Sequence, residues 1–76
     1  MKIEILGTGC AKCKALEENT KGALAKIGGF HSVEKVDDPM EIMNYGVMST
    51  PGLVVDGVVK STGKLLNIDE IIKLIQ

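Results

Sequence analysis

Cys10 and Cys13 are the residues of this chain best suited to chemistry, and they are its only two cysteines. Thiols three positions apart can close a small disulfide ring. The pair stands where a short apolar segment gives way to a segment with helical periodicity, so Cys10 is predicted to lie at a helix N-terminus. Unpaired backbone N–H groups and the positive end of the helix dipole favour a thiolate there. Since the thiolate is the nucleophile of disulfide exchange, this position favours thiol–disulfide chemistry.

Lys12 lies between the two cysteines and is the lysine best placed to affect their chemistry. A nearby cation lowers the pKa of a thiol because it stabilises the thiolate. Lys12 is therefore predicted to raise the thiolate population of the pair. The other lysines are predicted to be solvated surface residues.

The composition limits the other kinds of function. With 76 residues, of which 45% are hydrophobic and 25% charged, the chain is predicted to form a single domain over residues 1–76. A formal net charge of −1 and only two aromatic residues give no reason to expect a nucleic-acid partner. No stretch approaches the ~20 apolar residues of a membrane span, and the strand-like first residues lack the features of a signal peptide. We expect a cytoplasmic monomer.

Local patterns predict seven elements in the order βαβαββα. Apolar runs and alternation predict strands at residues 2–6, 31–36, 52–55 and 58–61. Helical periodicity and N-cap signals predict helices over residues 11–27, after Asp38 and after Asn67. The first two strands should be parallel, because a long helix connects them through a right-handed crossover. Asp56-Gly57 predicts a two-residue hairpin between the last two strands.

Two motifs make the chain resemble the thioredoxin/glutaredoxin superfamily in its minimal form. Residues 7–13 read Gly-Thr-Gly-Cys-Ala-Lys-Cys, and residues 51–57, about forty positions later, read Pro-Gly-Leu-Val-Val-Asp-Gly. The chain is most similar to the small thioredoxin-like redox-active disulfide proteins, over its whole length. The resemblance implies an α/β fold, with a four-stranded mixed sheet and three helices. It also implies a thiol–disulfide oxidoreductase that reduces or exchanges protein disulfides.

The same resemblance implies how the cysteines divide the reaction. Cys10 would attack a substrate disulfide, and Cys13 would then attack the mixed disulfide and release the reduced substrate. The only redox group required is the reversible Cys10–Cys13 disulfide, so no further cofactor is expected. The implied partners are a disulfide-containing protein and a separate disulfide reductase that restores the dithiol.

Thr50 and Pro51 are predicted to contact the substrate. The resemblance implies a cis peptide bond before Pro51, with the proline packed beside the disulfide. An X–Pro bond is nearly the only one that accepts cis at a small cost. The cis geometry would leave the Thr50 backbone free to pair with an extended substrate segment. The alternative is a trans proline that merely begins a strand.

Glu4 stands in the first predicted strand, six residues before Cys10. In that offset it matches the buried aspartate of thioredoxin, which implies a carboxylate able to take the proton from Cys13 during exchange. The alternative is a glutamate at a solvated sheet edge or one paired with a lysine such as Lys60.

Two other functions remain open at this level, a soft-metal (Cu or Zn) chaperone module and a thiol redox sensor. Heavy-metal-associated domains also place two cysteines between a first strand and a first helix. Thr8 stands where those domains usually have methionine, and they end in a strand rather than a helix. A zinc site within one chain would need two further ligands, and His31, the only histidine, is predicted to be a surface residue. We therefore expect no metal site.

Three methionines follow the second predicted strand. Met40, Met43 and Met48 could line a substrate groove or bind a soft metal. Methionines at such spacing more often fill irregular gaps in a core, and that is the role predicted here.

Overall fold

A computed structural model describes residues 1–75 of the chain. The elements are β1 (Lys2–Leu6), α1 (Ala11–Ile27), β2 (Ser32–Val36), α2 (Pro39–Asn44), β3 (Gly52–Val55), β4 (Val58–Thr62) and α3 (Ile68–Ile75). The strands form one sheet in the order β2-β1-β3-β4. The predicted α/β class, with a four-stranded mixed sheet and three helices, is confirmed. Within residues 1–75, no helix is both long and apolar enough to cross a membrane.

The strand pairing places β1 in the interior of the sheet, between β2 and β3. β2 runs parallel to β1, whereas β3 is antiparallel to β1 and β4 is antiparallel to β3. The β3–β4 connection is the predicted two-residue turn, with φ of 50° at Asp56 and 83° at Gly57, as the tightest hairpins require. The carboxyl ends of β1 and β2 therefore meet at the same end of the sheet as the start of β3.

The two faces of the sheet carry separate cores. Because strand side chains alternate in direction, Ile3 and Ile5 face one side of β1 and pack with α1 and α3 through Leu16 and Ile71. Leu6 faces the other side. It packs there with residues of β2, α2, β3 and the α2–β3 loop: Val36, Ile42, Val54 and Val47. The helix that begins at the cysteines and the short helix α2 thus lie on opposite faces.

The methionines do not fill the core, and that prediction is wrong. Met40 and Met43 are each 68% exposed, and Met48 is 95% exposed. The helix α2 has only six residues, so its single buried side chain, Ile42, covers the sheet and the rest of its surface faces solvent.

Candidate active site

Cys10 and Cys13 form a disulfide, with their Cα atoms 5.1 Å apart. Cys10 is the N-cap of α1, with extended backbone dihedral angles. Its Sγ accepts a hydrogen bond from the backbone N–H of Cys13 at 3.2 Å, and its carbonyl oxygen accepts one from Lys14 at 3.0 Å. No acidic residue lies in the first turn of the helix. The predicted placement of Cys10 at a helix N-terminus is confirmed, and Lys12 lies in that first turn, exposed to solvent.

Burial separates the two sulfur-bearing residues. Cys10 is exposed, whereas Cys13 is only 5% exposed. Cys13 can lie so close to the strand β1 because residue 7 is a glycine. A Cβ atom at Gly7 would overlap Sγ of Cys13 and lie 3.0 Å from its Cβ. The segment between β1 and α1, residues 7–10, is called the cysteine loop. The Gly7 N–H donates to the carbonyl oxygen of Val36 at 2.9 Å, which joins the cysteine loop to the end of β2.

A small pocket of about 80 Å³ lies beside Cys13, and charged residues line it. Lys14 comes from α1, Lys35 from β2, and Asp37 follows directly after β2. Neither Lys35 nor Asp37 is among the residues predicted from the sequence. One signal could have found Asp37, because the carboxyl ends of two adjacent parallel strands meet at one edge of a sheet. The residue after β2 therefore lies near the loop after β1.

Thr50 and Pro51 lie at the same end of the sheet. The Thr50–Pro51 peptide bond is cis, as predicted. Gly52 pairs with Leu6, so the Thr50–Pro51 segment lies opposite the beginning of the cysteine loop. Pro51 is buried and Thr50 is exposed. Among residues 1–75, no hydrogen bond involves the backbone N–H or C=O of Thr50, which leaves both groups available to a partner.

Glu4 is oriented away from the face that α1 covers. The residue is only 8% exposed, and its carboxylate accepts a hydrogen bond from the Tyr45 hydroxyl at 2.8 Å. Glu4 shares the face of Leu6, on which α2 packs. Its partner is thus Tyr45 rather than Lys60, and the structure does not place Glu4 on the side of the sheet that carries Cys13. Its role as a proton acceptor stays a prediction.

The hydrogen bond with Glu4 holds the pKa of Tyr45 above its usual value of 10.0. Ionisation would remove the donated proton from this bond, and it would place a second negative charge beside the carboxylate. Partial burial of the phenol acts in the same direction. Tyr45 was not among the residues that the sequence singled out. No local pattern marks it, since 41 positions separate it from its partner.

His31, the one histidine considered as a metal ligand, lies far from the cysteines. The half-buried His31 has Nε2 at 2.8 Å from the carbonyl oxygen of Gly28, beyond the end of α1 opposite to Cys10. Within the part of the chain that the structure describes, no group of three or more His, Cys, Asp or Glu side chains is arranged to hold a metal ion.

Comparison with known proteins gives concordant matches. The sequence profile of the family described as Thioredoxin domain matches residues 1–76. A thioredoxin of Methanothermobacter thermautotrophicus is 40% identical over 75 residues, which cover 99% of this chain and 97% of that protein. A thioredoxin of Methanocaldococcus jannaschii is 41% identical over 69 residues, which cover 91% of this chain and 79% of that protein.

Proposed function

The chain belongs to the thioredoxin domain family and is a thiol–disulfide oxidoreductase, and we propose that Cys10 is its nucleophile and Cys13 its resolving thiol. The observation that carries this division is the difference in burial. Cys10 is exposed and can reach the disulfide of another protein, whereas Cys13 is 5% exposed and can reach only a sulfur already joined to Cys10.

The surroundings of Cys10 support its role as the attacking group. As the N-cap of a 17-residue helix, its sulfur lies at the positive end of the helix dipole. The Cys13 N–H that donates to this sulfur would donate more strongly to a thiolate, since charged acceptors form stronger hydrogen bonds. Lys12 adds a positive charge in the same turn, and no acidic residue of that turn opposes it.

The reaction transfers two electrons from this protein to its substrate. The Cys10 thiolate bonds to one substrate sulfur and displaces the other as a thiolate. Cys13 then loses its proton, bonds to Cys10 and displaces the first substrate sulfur. The substrate leaves as a dithiol, and this protein keeps the Cys10–Cys13 disulfide. A disulfide reductase must return two electrons before the next cycle.

The Thr50–Pro51 segment is proposed to align the substrate. Thr50 is an exposed residue, and its backbone, with no hydrogen-bond partner among residues 1–75, offers one donor and one acceptor at the end of the sheet that carries Cys10. An extended substrate segment could pair with it as a short added strand. Such pairing would hold the substrate sulfur near Cys10 without selecting a particular side chain. The predicted cytoplasmic location stays a prediction.

Trapping of mixed disulfides tests whether Cys10 is the nucleophile and Cys13 the resolving thiol. The variant Cys13→Ser should accumulate a covalent adduct with a disulfide-containing protein such as insulin, because nothing within the chain can resolve it. Its matched control, Cys10→Ser, keeps one thiol but loses the exposed one and should form little adduct. Mass spectrometry of both reaction mixtures decides, and equal adduct formation by the two variants would refute the proposal.

A further inference from the structure

Resolution of the mixed disulfide requires that a nearly buried thiol lose its proton. The carboxylate of Glu4, which the sequence suggests for this task, accepts a hydrogen bond from the Tyr45 hydroxyl on the other face of the sheet. We propose that Asp37 accepts the proton of Cys13, through the pocket that both residues line. This inference rests on the proposed role of Cys13 as the resolving thiol.

The backbone brings Asp37 to Cys13. The hydrogen bond from Gly7 to Val36 joins the cysteine loop to the last residue of β2, and Asp37 is the next residue along the chain. Among residues 1–75, Asp37 is the only carboxylate that lines the pocket beside Cys13. The pocket measures about 80 Å³, well above the ~10–15 Å³ that one water molecule needs. A water molecule can therefore bridge the thiol and the carboxylate.

The two lysines that face this pocket favour loss of the proton from Cys13, whereas the negative charge of Asp37 opposes formation of the thiolate. Lys14 from α1 and Lys35 from β2 both line it, and the glycine-rich loop after β1 adds no charge. The Nζ atom of Lys35 also lies 3.9 Å from Oε1 of Glu17, so that lysine is partly neutralised. Asp37 is exposed and can pass the proton on to solvent.

The proposed step is balanced in atoms and electrons. The Cys13 proton moves to Asp37, directly or through the bridging water, as the Cys13 sulfur attacks the Cys10 sulfur. The bond between Cys10 and the substrate sulfur breaks, and the substrate leaves as a thiolate. Asp37 then releases the proton to solvent before the next turnover.

Stopped-flow reaction with a chromogenic aryl disulfide tests this step. The reduced protein should release one coloured thiolate when Cys10 attacks and a second when Cys13 resolves the adduct. We expect Asp37→Asn to leave the first release unchanged and to slow the second by about tenfold or more near neutral pH. A positioned base typically raises the rate ~10²–10⁴-fold. In the variant, hydroxide from solvent would replace part of that contribution, so the expected loss is smaller. The second rate of this variant should rise with pH more steeply than that of the wild type, and Asp37→Glu should restore most of it.

Asp38→Asn is the matched control, since it removes the adjacent carboxylate but keeps a side chain able to cap α2. Both of its release rates should match those of the wild type. If Asp37 acted only through its charge, its removal would favour the Cys13 thiolate and speed the second release. A faster or unchanged second release in Asp37→Asn would overturn the proposal. So would a second release that is slow in Glu4→Gln but not in Asp37→Asn. Absence of a second release from the wild type would instead refute the proposed role of Cys13.

Discussion

Accessibility distinguishes two sulfur atoms that are only three residues apart. In the reduced protein near neutral pH, iodoacetamide should alkylate Cys10 much faster than Cys13. The first is exposed at a helix N-terminus, and the second is nearly buried under the loop that begins at Gly7. The rate at Cys10 should follow an apparent pKa below the ~8.5 of an unperturbed cysteine. Peptide mapping by mass spectrometry over a pH series measures both rates.

The variant Lys12→Gln separates the two causes of this reactivity. It removes the positive charge of the first turn but leaves the helix N-terminus intact, so the apparent pKa of Cys10 should rise only part of the way towards ~8.5. If both cysteines of the wild type react alike with an ordinary pKa, the helix N-terminus does not activate Cys10.

At the scale of elements, α3 begins with a reciprocal pair of hydrogen bonds. Oδ1 of Asn67 accepts from the Glu70 N–H at 2.8 Å, and Oε1 of Glu70 accepts from the Asn67 N–H at 3.0 Å. This capping box satisfies backbone N–H groups that the helix itself cannot. The short helix that follows buries Ile71 in the core shared with α1, so the cap contributes to the attachment of α3.

Asn67→Ala should therefore lower the free energy of unfolding by about 1 kcal/mol, the typical cost of losing an N-cap side chain. Asn67→Gly, the control, should cost only a few tenths of a kcal/mol, because glycine is tolerated at this position. Urea denaturation followed by circular dichroism measures both values. A cost for alanine no larger than that for glycine would show that the observed cap does not stabilise the protein.

The elements could be predicted because their signals are local. Asp38, Asn67 and the Asp56-Gly57 turn each act on backbone groups within a few residues, and each is found where the sequence places it. The cysteine pair could be predicted from its spacing and its position before a helix, whereas the cis bond before Pro51 was predicted by resemblance to a family whose motifs span the chain.

What could not be predicted depends on contacts distant in sequence. The bond between Tyr45 and Glu4 joins α2 to the central strand, and nothing near either residue reveals it. Asp37 comes near Cys13 only because two parallel strands end side by side. The exposure of Met40 and Met43 could not be predicted either, because side-chain type alone does not show how little of the sheet a six-residue helix covers.

At the scale of the whole molecule, the Tyr45–Glu4 hydrogen bond couples stability to alkaline pH. The pKa of Tyr45 is raised in the folded protein, mainly by this bond, so the folded state holds the phenolic proton more tightly than the unfolded state does. The resulting stabilisation is complete below the unfolded pKa of about 10. It is lost as the pH rises through the folded pKa.

Two measurements check this coupling. Tyr45 is the only tyrosine of the chain, so the ultraviolet absorbance of tyrosinate reports its titration alone, and its midpoint should lie above 10.0. Urea denaturation between pH 9 and pH 11, about one unit either side of the reference value, should show a loss of stability that Tyr45→Phe reduces. The phenylalanine variant keeps the lysine titrations, so the difference between the two proteins isolates Tyr45. An unshifted midpoint would contradict the coupling.

The order of the strands also bears on aggregation. It leaves β2 and β4 with one unpaired side each, and exposed strand edges are templates on which other chains can add. Here β2 carries the exposed charges of Glu34 and Lys35, and the β3–β4 pairing shifts so that Lys60 has no partner on β3. Charged and bulged edges resist such addition. If Thr50 pairs with extended substrate segments, as proposed, these charged and bulged edges would confine strand addition to that site and oppose fibril-like growth along the sides of the sheet.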